Sequence, residues 1–312
     1  QHIVDSGDLT PRIRAYCYTA IGECIKGFGT NLYQGIAYLN HAIDLLGDIP
    51  NSTEPLMSNY NLLSHASLYN PHISQADLFA LNCKWGTLIH NEYPPLNRRF
   101  PHSPIPQRRL RIGYISRDFY SQAAAFFTNV FFTEYDKEQF EIFCYSDVSH
   151  PDKVTAFYEE LVDHWRTIRD VTINKIVDGI WQDQIDILMD PGAGTTSTLR
   201  CILPFAYKPA PIQITLSPTS TGLKTMDYRV TDYYQDPLGE PSYSTEQLLY
   251  MPDSFICYTP PVDTPEVTEP PFKKNGYITF GFFSHPLKIN EQIIQLWSQI
   301  LHAIPHSKLI LK

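Results

Sequence analysis

Leu-Arg-Ile-Gly-Tyr-Ile-Ser at 110–116, Phe-Glu-Ile-Phe-Cys-Tyr-Ser-Asp at 140–147 and Ile-Asp-Ile-Leu-Met-Asp at 185–190 decide the fold. Each is a short run rich in β-branched and aromatic residues, the composition of a strand buried on both faces. Helical spacing fills 152–162 and 172–183 between them. Further strand-like runs follow at 212–216, 227–232 and 247–252. Strands that alternate with helices predict βαβ units and a mostly parallel, doubly wound (Rossmann-like) sheet over 109–258. Ligands of such sheets bind beyond the carboxyl ends of the strands, so the turns after 116, 190 and 216 are where chemistry is expected.

Outward from this lobe the pattern changes on both sides. Residues 1–50 read as two helices, with Gly22, Gly35, Leu39 and Ala42 spaced so that small residues let the helices approach. That is close to one tetratricopeptide unit, and equally close to a plain amphipathic hairpin that caps the next domain. A further segment, 51–108, carries helical spacing at 75–90 and then five prolines between Pro94 and Pro106, which deny it regular structure and make it a linker. Beyond the lobe, 259–275 opens with a proline- and acid-rich run that reads as a second linker. Then 276–312 gives a strand (276–283), a helix (290–304) and the beginning of another strand (307–312). Two parallel strands with one helix leave open edges and an uncovered face, which predicts the opening of a second, incomplete lobe. The chain also begins at Gln1 without an initiator Met or a signal-like segment, so it is expected to be a piece of a longer polypeptide.

Composition narrows the function classes. The 312 residues hold 24 Lys plus Arg against 33 Asp plus Glu, a net charge of −9. A field of that sign makes nucleic acid and anionic lipid poor partners. No apolar run reaches the roughly 18 residues of a membrane span. The six cysteines lack Cys-x-x-Cys spacing and mostly sit in apolar stretches. Buried thiols in a reducing, cytoplasmic setting are the expectation, with no metal site.

Several strings then resemble one family, the SPINDLY-type protein O-GlcNAc transferases. They are Arg-Ile-Gly-Tyr-Ile-Ser-Arg-Asp-Phe (111–119), Asp-His-Trp-Arg (163–166), Lys-Pro-Ala-Pro-Ile-Gln (208–213) and Thr-Gly-Leu-Lys-Thr-Met-Asp-Tyr-Arg-Val-Thr-Asp (221–232), with the runs at 140–148 and 185–190 in order between them. Tyr-Ile-Thr-Phe-Gly-Phe-Phe-Ser-His-Pro-Leu-Lys (277–288) continues the series, and 58–71 is similar to the helical segment that the family places before its catalytic region. The resemblance covers about 55–312. It implies a two-lobed glycosyltransferase of the GT-B arrangement that moves a sugar from a nucleotide sugar, UDP-GlcNAc or another, to Ser or Thr hydroxyls. Inversion, independence of metal and of cofactor, and upstream helical repeats that present protein or peptide acceptors are implied with it.

Carried onto this sequence, the resemblance makes Lys288 the family's lysine, after the first strand of the second lobe and just before a helix that begins near Asn290. An ammonium and a helix N-terminus there act on the same leaving diphosphate. His285 stands where the family has an amide residue near the nucleotide. The first lobe departs from the pattern. Gln122 replaces a histidine that faces sugar and acceptor, and a glutamine has no proton equilibrium near neutral pH. Gly194 replaces a second histidine, and the loop after the strand at 212–216 is shortened to Leu-Ser-Pro-Thr-Ser-Thr-Gly (216–222). Asp118, Thr195 and Thr221 remain at these strand ends as candidate substrate contacts. Asp118 reads equally as a cap of the following helix, and Asp190 as a closer of its βα loop. These departures leave two functions open: a sugar transferase, or a non-catalytic remnant that keeps the fold and binds proteins.

Overall fold

The computed structural model describes residues 9–28, 31–100, 107–191, 199–261 and 264–312. Gly194 and Thr195 lie outside them. In chain order the elements are α1 (Pro11–Phe28), α2 (Leu32–Gly47), α3 (Thr53–Ser67), α4 (Gln75–Glu92), β1 (Leu110–Ser116), α5 (Ala125–Thr128), α6 (Val130–Thr133), β2 (Phe140–Ser146) and α7 (Lys153–Leu161). Next come β3 (His164–Thr167), α8 (Ile173–Gln182), β4 (Ile187–Asp190), α9 (Leu199–Ala206), β5 (Ile212–Thr215), β6 (Tyr228–Thr231) and β7 (Gln247–Tyr250). The chain closes with α10 (Pro271–Asn275), β8 (Thr279–Phe282), α11 (Glu291–Ala303) and β9 (Lys308–Leu311).

Seven strands form one sheet in the order β3-β2-β1-β4-β5-β6-β7, every pair parallel. From β1 the chain winds outward to β3, returns to the other side of β1 and winds outward again to β7. The order therefore reverses between β1 and β4, the point at which open parallel sheets bind ligands. Along β1, Ile112 and Tyr114 face a cluster with Phe119, Phe132, Ile142, Cys144 and Tyr158. Ile115 faces the opposite cluster with Phe143, Ile176, Ile180, Leu188 and Phe205. Each face is covered by helices, so the buried stretches 112–115 of β1 and 142–145 of β2 carry no charged residue on either face, which is why the sequence shows continuous runs there.

Helix α4 belongs to this body. Trp85 and Ile89 are buried in the same cluster as Ile115, together with Met57 of α3, whose carbonyl accepts the Trp85 indole N–H at 3.0 Å. After α4 the proline-rich segment is tied down at its described residues, by Leu96 N–H to the Tyr207 carbonyl at 3.0 Å and by an Arg98–Asp178 ion pair at 2.7 Å. The expected segment at 51–108 is thus divided: residues 53–64 and 74 onward pack with the sheet, and 65–73 group elsewhere.

The second compact unit comprises the described residues of 1–52, 65–73 and 262–312. Within it α1 and α2 run antiparallel. Arg12 donates to the Pro50 carbonyl, Tyr18 stacks on Tyr38, and Gly22 meets Leu39 and the Gly35 carbonyl. A Cβ on Gly22 would lie 2.9 Å from Leu39 Cγ, so the small residue is what lets the helices touch. The remaining part holds a two-stranded parallel sheet, β8–β9, with α11 between its strands. No described helix is long and apolar enough to cross a membrane. All six cysteines are among the described residues and no disulfide joins them; Cys144 and Cys201 are buried as expected, whereas Cys24 and Cys257 are exposed.

Candidate functional site

The carboxyl ends of β1, β4 and β5 are lined with buried polar groups. Ser116, last in β1, accepts the Asp118 N–H on its hydroxyl at 3.0 Å, which turns the chain out of the sheet. The turn is then anchored to the start of α7. Asp152 accepts the Ser121 N–H at 2.9 Å as well as the Val154 N–H at 2.9 Å and the Thr155 N–H at 3.1 Å, and the Thr155 hydroxyl donates to the Phe119 carbonyl at 2.7 Å. Burial pushes the Asp152 carboxyl up, but these N–H donors outweigh it and hold the group below the ordinary range.

Gln122 follows, half-buried, with its amide nitrogen 3.4 Å from the Asp118 carbonyl. Asp118 does not cap the next helix. That helix, α5, starts behind Ala124 and has no side-chain cap, because a turn of six residues separates it from Asp118. Asp190, at the end of β4, is buried and accepts the Thr215 hydroxyl at 2.9 Å across the register-matched pair of β4 and β5. Its carboxylate thus joins two strand ends.

Thr221, chosen from sequence as a substrate contact, is occupied elsewhere. Glu246 accepts its N–H at 2.8 Å and its hydroxyl, together with the Ser220 hydroxyl at 2.8 Å and the Ser244 hydroxyl at 2.7 Å. The whole loop 219–224 is clamped to α4. Asn82 donates to the Ser220 carbonyl at 2.8 Å, and His90 Nε2 accepts the Lys224 N–H at 3.1 Å. A Cβ on Gly86 would stand 2.0 Å from the Gly222 carbonyl oxygen, and Gly222 itself has φ +73°. Thr221 thus holds the loop in place, with its N–H and hydroxyl both donated to Glu246. Glu246, Asp152 and Asn82 are not legible in the sequence as site residues, because the bonds by which they hold these loops reach Thr221, Ser121 and Ser220, each 25 or more residues away.

Between the ends of β4 and β5 and the α5–α6 turns lies a pocket whose walls are apolar: Phe127, Phe131, Pro191, Leu216, Pro218 and Ile256. Thr128 and Cys257 are its polar members, and among the described residues no imidazole or carboxylate lines it. Such a pocket receives an apolar group and shields a neighbouring polar reaction from water, but it supplies no base.

In the other unit the candidate groups sit on a single turn. After β8 a 3₁₀ turn runs Pro286–Lys288, with His285 ahead of it. His285 Nδ1 accepts the Leu287 N–H at 3.2 Å and the Lys288 N–H returns to the His285 carbonyl at 3.0 Å. His285 is therefore the cap of the turn, and its ring packs on Tyr69 at 5.6 Å between centroids. Lys288 is exposed, and Asn290 caps α11 by accepting the Ile293 N–H at 3.0 Å. Lys288 thus precedes the Asn290 cap of α11 by two residues.

The sequence pattern of glycosyl transferase family 41 matches residues 74–259, the segment that contains α4, the seven-stranded sheet and the apolar pocket. The chain belongs to glycosyl transferase family 41. It is 33% identical over 245 residues to the probable UDP-N-acetylglucosamine–peptide N-acetylglucosaminyltransferase SPINDLY of Petunia hybrida, which covers 77% of this chain and 26% of that protein. The Arabidopsis thaliana protein of the same name is 33% identical over 244 residues, 75% of this chain and 26% of its own length. A solved structure, an O-GlcNAc transferase mutant of Thermobaculum terrenum, superposes with a TM-score of 0.85 at 27% identity, over 95% of this chain and 55% of that one. The α/β fold is thus that of a family 41 transferase. The chain spans about a quarter of the length of the curated relatives it matches.

Proposed function

We propose that this chain carries the first lobe, and the opening of the second, of a two-lobed GT-B protein O-linked N-acetylglucosamine transferase. In this reading it moves a sugar from UDP-GlcNAc to Ser or Thr hydroxyls of protein acceptors, with inversion and without a metal, in the cytoplasm, and α1–α2 form the last of a set of tetratricopeptide-like repeats. The observation that carries the reading is the family match over the sheet whose reversal point opens on the β1, β4 and β5 ends. Lys288 balances the charge that develops on the leaving diphosphate, and the free N–H groups of the first turn of α11 add to it. The His285 cap sets the position of that lysine. Titration of UDP into the 312-residue chain, followed by ligand-observed NMR, tests this. Binding near the millimolar range is expected, weakened about fivefold or more by Lys288→Ala. UDP binding that ignores Lys288 overturns the assignment.

One observation favours a second reading, a protein-binding module without transfer activity. Among the described residues no imidazole or carboxylate lines the apolar pocket at the strand ends, and Gln122 cannot take a proton from an acceptor hydroxyl. Under this reading Gln122→His alone does not produce transfer. Sugar incorporation into a Ser/Thr peptide by that variant, seen as a mass increase, decides for a site that is otherwise intact.

A further inference from the structure

A second pocket lies within the unit formed by the N-terminal hairpin, the 65–73 connector and the β8–α11–β9 segment, and neither reading above uses its aromatic side. Its floor is Leu287, the one buried residue of the 3₁₀ turn, while α11 has none. Its walls are aromatic: Tyr33 stacks on His72 with centroids 6.1 Å apart and planes 24° from parallel, and Tyr69 leans on His285. Glu291 and Gln295 of α11 stand at its rim. No lysine or arginine lines it, and Glu291 has no ion-pair partner among the described residues. Against the ring faces and the Glu291 carboxylate a phosphate or carboxylate would meet charge of its own sign, so on this side of the helix start an anionic ligand is disfavoured. A flat cation does. A guanidinium stacks on aromatic faces, which carry negative charge density, and forks to a carboxylate. The net charge of −9 attracts such a group from a distance.

We propose that this pocket takes an arginine side chain of a polypeptide partner, with its plane against Tyr33 or Tyr69 and its nitrogens on the Glu291 carboxylate. The site borders the one proposed for the diphosphate, since Asn290, Glu291 and Gln292 at the start of α11 are among its lining residues; Lys288 is not, and the test does not depend on nucleotide binding. N-acetyl-arginine amide, added to the whole chain, is expected to move the tyrosine and histidine ring resonances of Tyr33, Tyr69 and His72 saturably. The uncharged isostere N-acetyl-citrulline amide is expected to bind about tenfold more weakly, and Glu291→Gln to weaken the arginine probe about fivefold. Tyr33→Leu, at a half-exposed position that leaves the fold untouched, gives a second loss. Citrulline that binds as tightly as arginine overturns the proposal, as does arginine binding that both variants leave unchanged. Loss of UDP binding in Lys288→Ala with arginine binding retained separates this site from the nucleotide reading.

Discussion

A Cβ placed on Gly86 has nowhere to go, because backbone atoms of Gly222 lie 2.0–2.5 Å away and backbone cannot yield as a side-chain tip does. Gly86→Ala is expected to cost about 2–4 kcal/mol and to lower the urea midpoint accordingly. Gly179, inside α8 with nothing within 4 Å, sets the opposite sign: Gly179→Ala is expected to stabilise by about 1 kcal/mol through helix propensity alone. The clamp that Gly86 completes also contains His90. Burial and the nearby Lys224 charge hold the His90 imidazole below its ordinary value of 6.5. A histidine depressed in the folded state contributes stability above 6.5 that is lost as pH falls through the lower, folded value. Glu141 adds to the same direction at more acid pH: burial pushes it up, but hydrogen bonds from His164 and Arg111 prevail and hold it below the ordinary carboxylate range. Urea midpoints are therefore expected to fall from pH 7 downward. His90→Gln, which keeps an acceptor for the Lys224 N–H, flattens the part just below 6.5, and Glu141→Gln flattens the more acid part. A midpoint that is level from pH 7 to pH 4 contradicts both assignments. Residue identity alone could nominate Thr221 as polar and at a strand end. Only the fold shows that Glu246 has already taken its hydroxyl.

At the scale of elements, legibility followed burial. β1 and β2 are readable almost to the residue because the stretch of each that is covered on both faces, 112–115 and 142–145, carries no charge. β3 was not read as a strand, since His164–Thr167 is four residues long, sits at the sheet edge and exposes Arg166 and Thr167. α9 was hidden in the same way by Pro204, a residue that argues against a helix interior and is tolerated in this short, buried one. The loops at the site were the least legible, because their shape comes from caps and clamps between distant segments. α7 gives the clearest case. Asp152 and Thr155 form a reciprocal capping box, and Asp152 also reaches across to the Ser121 N–H of the loop after β1. Asp152→Ala is expected to lose about 1–2 kcal/mol from the cap. Because it also frees the Ser121 amide, amide exchange is expected to speed up over 120–123 as well as at the start of α7. Faster exchange confined to α7 would mean that the cap does not hold the loop that carries Gln122.

At the scale of the whole molecule, the two compact units differ in how well they cover their apolar surface. The seven-stranded sheet is buried on both faces by the two clusters around β1. The strand–helix–strand segment is not: α11 has no buried residue, with Ile294, Leu296 and Ile300 each more than 40% exposed, and Phe283, Ile310 and Leu311 are exposed beside them. A parallel pair of strands with one helix can cover at most one face, so water meets the rest. Contiguous apolar surface of this kind binds hydrophobic dyes and drives association. The chain is expected to enhance 8-anilinonaphthalene-1-sulfonate fluorescence in its folded state. Removal of 276–312 should abolish most of that signal while the far-ultraviolet spectrum of the sheet and its cooperative melt persist, because every residue of the two clusters lies between Met57 and Met226. The paired change Ile300→Glu with Ile310→Lys, both at exposed positions, should act in the same direction without truncation. If dye binding survives both changes, the exposed apolar surface lies instead on the seven-stranded unit, at the pocket between Phe127 and Leu216.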